Sequence, residues 1–496
     1  MQADAPSDSA LWPNAGAYQF AAQNVSQECS DVLLEQLTGC LPEKLRGVLY
    51  RNGPGRSECF GLPYGHPFDG DGMVLRFEFS RDGVRYSNRF VRTREFDEEE
   101  QAGRPLYRSF GTNLPGGLLR NFAKLRFKNA ANTSVLRFRD SLLALWEGGL
   151  PHALDPRTLE TLRREDFDGS LQNEHSALDR FLNPELPFSA HPKVCSRTGD
   201  IFNFGMALGA TPRLYLYRLQ TDGHFKKQSM PLQAMSFVHD FVLTDNYLVF
   251  IFPSVSFDIP RTLAGLSTPV DSIMTQDRPG ELWVIDRHSF SLVRQLQVPS
   301  GFFFHFSNGY EAGEDIYLEG CLMPRFPQAA DTRNLLEGGT DPFPKALLTR
   351  YRVTPSQVEV QDLAPIPAEL PTIDERYANQ EHGVTFFISN ALENPTPFMN
   401  RIMRREMNGQ VVEREFGSDI VGEPVFVPDS ETAAEGSGWL LVMTHSFQRR
   451  RAELHVLSAD SLESLTSFAL PHTVPPGFHG FFEPFITPSS SQTAVS

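Results

Sequence analysis

Four of the 13 histidines in this sequence share a local setting that the others lack. Each follows small or apolar residues where a strand is predicted to begin: His191 in PFSAHPKV, His239 in MSFVHDFVLT, His305 in FFFHFSNGY and His479 in PPGFHGFF. A buried neutral imidazole needs a partner for each ring nitrogen, which is either a hydrogen-bonding group or a metal ion. One such histidine would indicate a structural hydrogen bond, but four in one setting favour a shared metal centre.

The four histidines are far apart in the chain, so no local zinc-type spacing such as HExxH is present. A β-propeller would bring them together, because the innermost strands of its blades all run along one axis. Four blades could then each supply one imidazole to a single point. Four neutral imidazoles suit Fe(II), zinc or copper, so the residues themselves leave the metal open.

The strand pattern supports such a fold. Glycine and proline, 37 of each, separate short segments whose alternation has the period of a strand. A strand, a turn and a second strand recur in seven segments, which begin at Met73, Ser134, Arg213, Glu281, Leu347, Arg401 and Ala452. Each hairpin can belong to one four-stranded blade. We predict an all-β, seven-bladed propeller with a helical and loop cap on one face; the alternative is an ordinary multi-sheet β protein.

The propeller is predicted to be a single domain over residues 1–496, with about 1–25 and 486–496 flexible. Net charge is −16 and no basic stripe is present, so no nucleic-acid partner is expected. The five cysteines are scattered without a CxxC pair, which is typical of reduced thiols in a cytoplasmic protein. No signal-peptide pattern and no long apolar run is present, so neither export nor a membrane span is expected. The sequence leaves the oligomeric state open.

Residues 114–128 interrupt the β pattern. Two sets of side chains in this segment have helical spacing on different sides: Leu118, Leu119, Phe122 and Leu125, and Arg120, Lys124 and Lys128. We predict that this segment makes transient contact with a membrane surface, its apolar side entering the headgroup boundary and its basic side meeting anionic lipid. A helix packed against the core is the alternative.

Together with their neighbours, these motifs resemble the carotenoid cleavage oxygenases, most closely the bacterial apocarotenoid-cleaving branch. The resemblance runs from about Leu41 to Phe482 and includes LRGVLYRNGPG, HPFDGDGMV, KNAANT, LLALWEGGLPHALDP and VGEPVFVP beside the four histidine motifs. The family is a seven-bladed propeller with Fe(II) on its axis. The resemblance therefore implies one Fe(2+) per chain, held by His191, His239, His305 and His479. It also implies a dioxygenase that uses O2 to cleave a double bond of a carotenoid or apocarotenoid, giving retinal-like aldehydes.

The resemblance further implies three glutamates that orient the ligands: Glu147 beside His239, Glu369 beside His305 and Glu423 beside His479. The context of Glu369, PAELPTID, departs from the usual form because Leu370 stands where an aromatic residue is common. Thr133 matches a threonine whose methyl group would crowd an open metal position. The substrate tunnel in the cap would be lined by Phe68, Phe110, Trp146, Phe237 and Phe304.

Three alternatives remain at this point. A stilbenoid-cleaving enzyme of the same family generally holds its phenol with a lysine and a tyrosine. Here Trp146 and Phe110 stand near those positions, which favours a polyene. An isomerase, as the animal branch contains, is compatible with the same metal motifs. A metal-free propeller that serves as a binding scaffold is the alternative from another class.

Overall fold

The computed structural model describes residues 21–122, 124, 126–337, 343–390, 398–446 and 448–485. Its first strands are β1 (Cys29–Leu33), β2 (Glu35–Gly39), β3 (Gly47–Pro54), β4 (Glu58–Cys59), β5 (Leu62–Pro63), β6 (Gly72–Ser80), β7 (Gly83–Phe90), β8 (Ser134–Phe138), β9 (Ser141–Leu145), β10 (His152–Leu154), β11 (Thr161–Arg164), β12 (Lys193–Val194), β13 (Ile201–Ala207), β14 (Arg213–Leu219), β15 (Phe225–Pro231), β16 (Val242–Leu243) and β17 (Tyr247–Phe252). The remaining strands are β18 (Val255–Phe257), β19 (Ile273–Thr275), β20 (Gly280–Asp286), β21 (Leu292–Val298), β22 (Phe302–Ala312), β23 (Asp315–Met323), β24 (Leu347–Val353), β25 (Val358–Pro367), β26 (Glu369–Thr372), β27 (Val384–Ser389), β28 (Arg401–Glu406), β29 (Val411–Glu415), β30 (Ile420–Val421), β31 (Val425–Pro428), β32 (Gly438–Ser446), β33 (Arg451–Ser458), β34 (Ser464–Ala469) and β35 (Gly480–Pro484).

Helices are few and short in the described residues: α1 (Arg94–Ala102), α2 (Leu118–Asn121), α3 (Ala177–Leu182), α4 (Ile259–Leu263) and α5 (Ala329–Glu337), with 3-10 turns at Pro67–Asp69, Val270–Ser272 and Glu375–Tyr377. None of the helices in these ranges is long and apolar enough to cross a membrane.

Seven antiparallel sheets form the blades of a propeller. From the inner to the outer strand, blade 1 is β35-β3-β6-β7-β1, blade 2 β8-β9-β10-β11, blade 3 β12-β13-β14-β15, blade 4 β16-β17-β20-β21, blade 5 β22-β23-β24-β25, blade 6 β26-β27-β28-β29 and blade 7 β30-β32-β33-β34-β2, with β31 also paired to β32. Each of the seven predicted hairpins lies in a different blade. The predicted propeller is therefore confirmed.

Both ends of the chain close the ring. The last strand, β35, pairs with β3 in blade 1, with Gly47 opposite Pro484. The early strand β2 pairs with β34 in blade 7, with Glu35 opposite Ala469. Blades 1 and 7 each combine strands from the two ends of the chain. Backbone hydrogen bonds between these strands therefore close the ring at two places.

The apolar core lies between neighbouring blades. One buried cluster joins Phe77 and Tyr86 of blade 1 to Leu441 and Leu454 of blade 7. Val25 belongs to the same cluster, and Ala21 and Ala22 are buried as well. The predicted flexible terminus therefore extends too far at residues 21–25; residues 1–20 and 486–496 lie outside the described part of the chain.

Loops between the blades form the predicted cap, and a buried arginine holds several of them together. Arg108 is fully buried and donates hydrogen bonds to the carbonyl oxygens of Thr262 and Ser267, at 2.9 and 2.8 Å, and to Asn113 Oδ1 at 2.8 Å. The backbone N–H of Val270 donates to the Phe110 carbonyl oxygen. Apart from the local bond to Asn113, these bonds join segments that are more than 100 residues apart in the chain.

The segment 114–128 differs from the prediction in two respects. Its helix, α2, comprises four residues only, so the predicted longer helical face is wrong. Lys128, predicted to face lipid, is buried and its Nζ lies 2.8 Å from Asp71 Oδ1 and 2.7 Å from Glu99 Oε2. An ammonium this deep is stabilised by the two carboxylates and is not available to a membrane. Leu125 lies outside the described residues.

Candidate metal centre

Each blade supplies one side chain to the centre of the propeller. Blades 1, 3, 4 and 5 supply histidines, and blades 2, 6 and 7 supply glutamates. The residues, in blade order, are His479, Glu147, His191, His239, His305, Glu369 and Glu423. The four histidines lie in or just before the innermost strand of their blade, which explains how residues nearly 300 positions apart meet.

The imidazoles face one another at short distances. Nitrogen atoms of His191, His239 and His305 all lie within 4.8 Å of one another. The Nε2 atoms of His191 and His239 are 3.0 Å apart. The ring of His479 lies 4.8 Å from those of His191 and His305, measured between centroids. Each ring is buried or nearly so.

Two of the glutamates lie at hydrogen-bond distance from single histidines. Glu369 Oε2 lies 2.6 Å from His305 Nδ1, and Glu423 Oε1 lies 2.7 Å from His479 Nδ1. Because each carboxylate occupies Nδ1 of its partner, both rings keep Nε2 for another group. These are the pairs that the family resemblance implied.

Glu147 is placed between two histidines. Its Oε1 lies 3.6 Å from His239 Nδ1, the implied partner, and 3.3 Å from His191 Nε2. Ser189 donates a hydrogen bond to the other carboxylate oxygen at 3.3 Å. Neither Glu147 Oε1 nor His239 Nδ1 has a hydrogen-bond partner within the described residues.

Burial and mutual repulsion set the charge of the histidines. Burial lowers the pKa of His191 and of His239 well below the usual value, and the neighbouring imidazoles lower both further. Burial also lowers the pKa of His479, although Glu423 opposes it. For His305, burial lowers the pKa but the Glu369 carboxylate outweighs it, so the net pKa is raised. Most of the cluster is therefore neutral near pH 7, as metal ligands must be.

Irregular strand pairing aims two of these side chains at the axis. β22 has an extra residue opposite β23 between Phe303 and Phe306, so His305 lies in a β-bulge. A Cβ atom on Gly320, in the facing strand, would lie 2.7 Å from the His305 carbonyl oxygen, so only glycine leaves room for the bulge. β26 is likewise irregular after Glu369, where Leu370 adopts a left-handed φ of 48°.

Arg51 and Thr133 contact this set from outside. The Arg51 guanidinium is buried; it donates to Glu423 Oε2 at 2.7 Å and to the Phe478 carbonyl oxygen at 3.0 Å. Burial raises the pKa of Glu423, but His479 and Arg51 outweigh it, so the pKa is lowered and the carboxylate is ionised. Thr133 is buried, and its carbonyl oxygen accepts the N–H of His479 at 3.2 Å.

Four of the five predicted tunnel residues form a layer of rings against the histidines. The rings of Phe68, Phe237 and Phe304 lie 6.3, 6.2 and 5.1 Å from that of His239. Phe110 stacks on both Phe68 and Phe237, at 6.1 and 5.9 Å. Phe237 also packs on Phe302 and Phe326, so it belongs to the apolar core of the cap as well.

The fifth, Trp146, is half-buried beside Glu147. Its ring lies over Gly148, where an added Cβ atom would come within 2.9 Å of the indole. The glycine in the LWEGG motif therefore leaves room for the tryptophan ring.

The donor set fits a metal centre. Two Nε2 atoms facing each other at 3.0 Å can share one proton or one metal ion, and two further imidazoles have a free Nε2 nearby. His239 Nδ1 has no hydrogen-bond partner in the described residues. Neutral imidazoles with carboxylates behind them are a ligand set that first-row divalent metals prefer.

Comparison with known proteins gives the class of the chain. Residues 22–484 match the family model of the retinal pigment epithelial membrane protein, RPE65. This chain belongs to the RPE65 or carotenoid cleavage oxygenase family. It is a homologue of the apocarotenoid-15,15'-oxygenase of Synechocystis sp., with 30% identity over 91% of this chain and 93% of the relative.

Other relatives are named for different activities. Resveratrol cleavage oxygenase 1 of Aspergillus fumigatus is 30% identical, over 91% of this chain and 92% of the relative. Isoeugenol monooxygenase of Pseudomonas nitroreducens is 28% identical, over 92% of this chain and 95% of the relative. Cobalt-substituted Synechocystis apocarotenoid oxygenase matches in structure with a TM-score of 0.87 at 29% identity, over 95% of this chain and 99% of that chain. The propeller is thus shared with this relative, for which a cobalt-substituted form is known.

Sequence reasoning missed several residues that shape the site. Arg51, Ser189, Asp240 and Gly320 each touch a proposed ligand, its glutamate or the adjacent backbone. Their local patterns, RNGPG, FSAH, VHDF and LEGC, contain no ligand spacing. Only the adjacency of Asp240 to His239 and of Ser189 to His191 could have drawn attention to them.

Proposed function

We propose that this chain is a non-haem Fe(II) oxygenase that uses O2 to cleave a carbon–carbon double bond of a carotenoid or apocarotenoid into two carbonyl products. The observation that carries the proposal is the cluster of four imidazoles from four blades, set against a layer of phenylalanine rings. Membership of the carotenoid cleavage oxygenase family supports the same reaction.

In this proposal His191, His239, His305 and His479 hold one Fe(II), while Glu147, Glu369 and Glu423 orient them. Each carboxylate fixes the tautomer of its histidine and raises the basicity of the ligating nitrogen. Ferrous iron, when bound, supplies redox chemistry toward O2 that amino-acid side chains lack. The ionised carboxylate of Glu423 offsets part of its charge.

The protein's own part in the reaction is to position the substrate. Phe68, Phe110, Phe237 and Phe304 present an apolar surface next to the histidines, on which a conjugated chain can lie and from which water is excluded. A polyene carries no charged handle, so the length of chain held by the tunnel selects the double bond. Trp146 extends this apolar lining beside Glu147.

Thr133 has a steric role in this proposal. Its backbone is fixed by the His479 N–H and, through its own N–H, by the Leu145 carbonyl oxygen at 3.0 Å. With the backbone held beside His479, the side chain of Thr133 would be fixed at the edge of the site, where its methyl group would limit access to a bound metal.

The substrate class is tested by a panel of apocarotenals, carotenoids, resveratrol and isoeugenol, with products identified by mass spectrometry. We expect apocarotenals to give two carbonyl fragments that acquire oxygen from labelled O2. Trp146→Lys should reduce this cleavage, because an unpaired ammonium against an apolar wall is costly. Cleavage of resveratrol or isoeugenol alone would instead assign the chain to the class of those relatives, and an isomer of unchanged mass would indicate an isomerase.

Metal content tests the proposal against a scaffold that merely binds. We expect close to one iron per chain after expression with iron, and loss of turnover on chelation that ferrous iron restores. Zinc or copper in place of iron, with activity, would overturn the choice of metal. A fully folded protein that binds no metal would exclude the oxygenase and favour the metal-free binding scaffold.

We also propose that the segment 114–128 contacts a membrane surface, since carotenoids partition into bilayers. Three of its apolar side chains point into solvent: Leu118 is 48% exposed, Leu119 95% and Phe122 65%. Arg120 and Lys124 beside them are exposed and can meet anionic headgroups, each contributing about 1 kcal/mol near the surface. Lys128 has no part in this contact.

The membrane proposal is tested by replacing Leu118, Leu119 and Phe122 with serine. We expect less binding to anionic liposomes and slower cleavage of liposome-held substrate, with detergent-dispersed substrate cleaved at the wild-type rate. Equal losses with both substrates, together with a lowered melting temperature, would show that the segment supports the core instead.

A further inference from the structure

Asp240, the residue after His239, is only 3% exposed, and both of its carboxylate oxygens contact donor groups of the protein. Its Oδ1 lies 2.8 Å from Lys193 Nζ and accepts the backbone N–H of Phe241 at 2.8 Å. Its Oδ2 accepts the backbone N–H of Phe306 at 2.9 Å. Each oxygen of this buried carboxylate therefore has a donor at hydrogen-bond distance.

The partners of Asp240 come from three blades. Lys193 begins the inner strand of blade 3, two residues after His191. Asp240 lies in blade 4, directly after His239. Phe306 lies in the inner strand of blade 5, directly after His305. One carboxylate therefore ties together the backbone segments that carry three of the four proposed ligands.

The Phe306 contact has particular weight because it lies at the β-bulge. Register between β22 and β23 is interrupted from Phe303 to Phe306, so the sheet alone does not fix this stretch. The hydrogen bond from Phe306 N–H to Asp240 anchors the end of the bulge to the neighbouring blade. The direction in which His305 points then depends on blade 4 as well as on its own sheet.

We propose that Asp240 is a positioning residue, which sets the spacing of His191, His239 and His305 without touching the metal. This inference rests on the proposed metal centre. The charge of Asp240 is needed for the ion pair with Lys193 of the neighbouring blade. The position of its second oxygen is needed because the Phe306 N–H donates a hydrogen bond to it. Residues that support a metal site in this way typically change affinity 10- to 100-fold when altered.

The test uses the full chain stripped of metal and titrated with Co(II), whose visible absorption reports coordination geometry without turnover. A relative has been obtained in cobalt-substituted form. Asp240→Asn keeps the size of the side chain but loses the pairing with Lys193. We expect it to weaken Co(II) binding about 10- to 100-fold and to alter the Co(II) spectrum.

Asp200→Asn is the matched control. Asp200 is buried and its Oδ2 lies 2.6 Å from Arg218 Nη2, so it is also a carboxylate paired to a basic side chain, but it joins β13 to β14 within blade 3. It should lower the melting temperature and leave Co(II) affinity and spectrum at wild-type values. If both variants weakened Co(II) binding equally, Asp240 would contribute only to the general stability of the fold, and the inference would be overturned.

Lys193→Met provides a second variant, because it keeps the Phe306 contact and removes the charge partner. We expect Co(II) binding between that of wild type and Asp240→Asn. Wild-type affinity and spectrum in Asp240→Asn overturn the proposal, and if that variant does not fold, wild-type values in Lys193→Met overturn it. Failure of the wild-type chain itself to bind Co(II) would instead refute the proposed metal centre.

Discussion

Replacing Lys128 with methionine tests whether this lysine is buried in the cap or faces a membrane. Its Nζ contacts Asp71 and Glu99 at 2.8 and 2.7 Å, and the three side chains are 1, 2 and 3% exposed. Methionine fills similar volume but removes the cation that lies between the two buried carboxylates; Arg56 Nη1, 3.8 Å from Asp71 Oδ2, remains as a more distant basic neighbour. Removing one partner of a buried ion pair typically costs about 3 to 5 kcal/mol.

The remaining contacts place the expected loss near the lower end of that range. Tyr64 donates to Asp71 Oδ2 at 3.2 Å, and the backbone N–H groups of Leu106 and Tyr107 donate to Glu99 Oε1 at 2.9 and 3.2 Å. These donors continue to stabilise the carboxylates. We therefore expect the free energy of unfolding to fall by about 3 kcal/mol.

Urea denaturation of Lys128→Met, followed by tryptophan fluorescence, measures this loss. Lys124→Met is the control, because Lys124 is exposed and should change stability by less than about 0.5 kcal/mol. Adding Glu99→Gln to Lys128→Met should recover part of the loss, since it removes one unpaired charge. If Lys128→Met were as stable as wild type and bound liposomes less well, the buried placement would be wrong.

Four further predictions follow from the site and the sheets. His305→Ala should lose most bound iron, whereas the exposed His288→Ala should keep it; full iron in both, by elemental analysis, would contradict the proposed ligands. Glu423→Gln should weaken metal binding about 10- to 100-fold without unfolding the protein, and an unchanged titration would make this carboxylate a structural group only. Gly320→Ala should lower metal content by displacing the bulge at His305, which a wild-type metal content would refute. Burial raises the pKa of Glu453, but its hydrogen bonds and basic neighbours outweigh it and lower the pKa from 4.5 to about 2. The ionised Glu453 therefore adds to the free energy of unfolding above about pH 4.5, and this contribution is lost as the pH falls toward 2. In Glu453→Gln the free energy of unfolding should depend less steeply on pH over that window. An identical pH curve for the two proteins would contradict this pKa.

The sequence alone determined the fold class and the axial histidines. Strand alternation is a local property, because successive side chains point to opposite faces, and it repeats with each blade. Each of the seven hairpins could therefore be predicted from its own local sequence. The four histidines stood out because burying an imidazole in an apolar strand requires a partner. The resemblance to a family, rather than spacing, supplied the pairing of glutamates to histidines.

Only the tertiary structure decided which side chains meet across blades. The bulge at His305 depends on Gly320 in the next strand, and the contacts of Asp240 come from blades 3, 4 and 5. Lys128 shows the reverse case: its spacing with Arg120 and Lys124 indicated a basic helical face that meets anionic lipid. Asp71 and Glu99 instead bury it, 57 and 29 residues earlier in the chain. Electrostatic pairing between distant segments leaves no periodic trace in a sequence, so it could not be predicted from one.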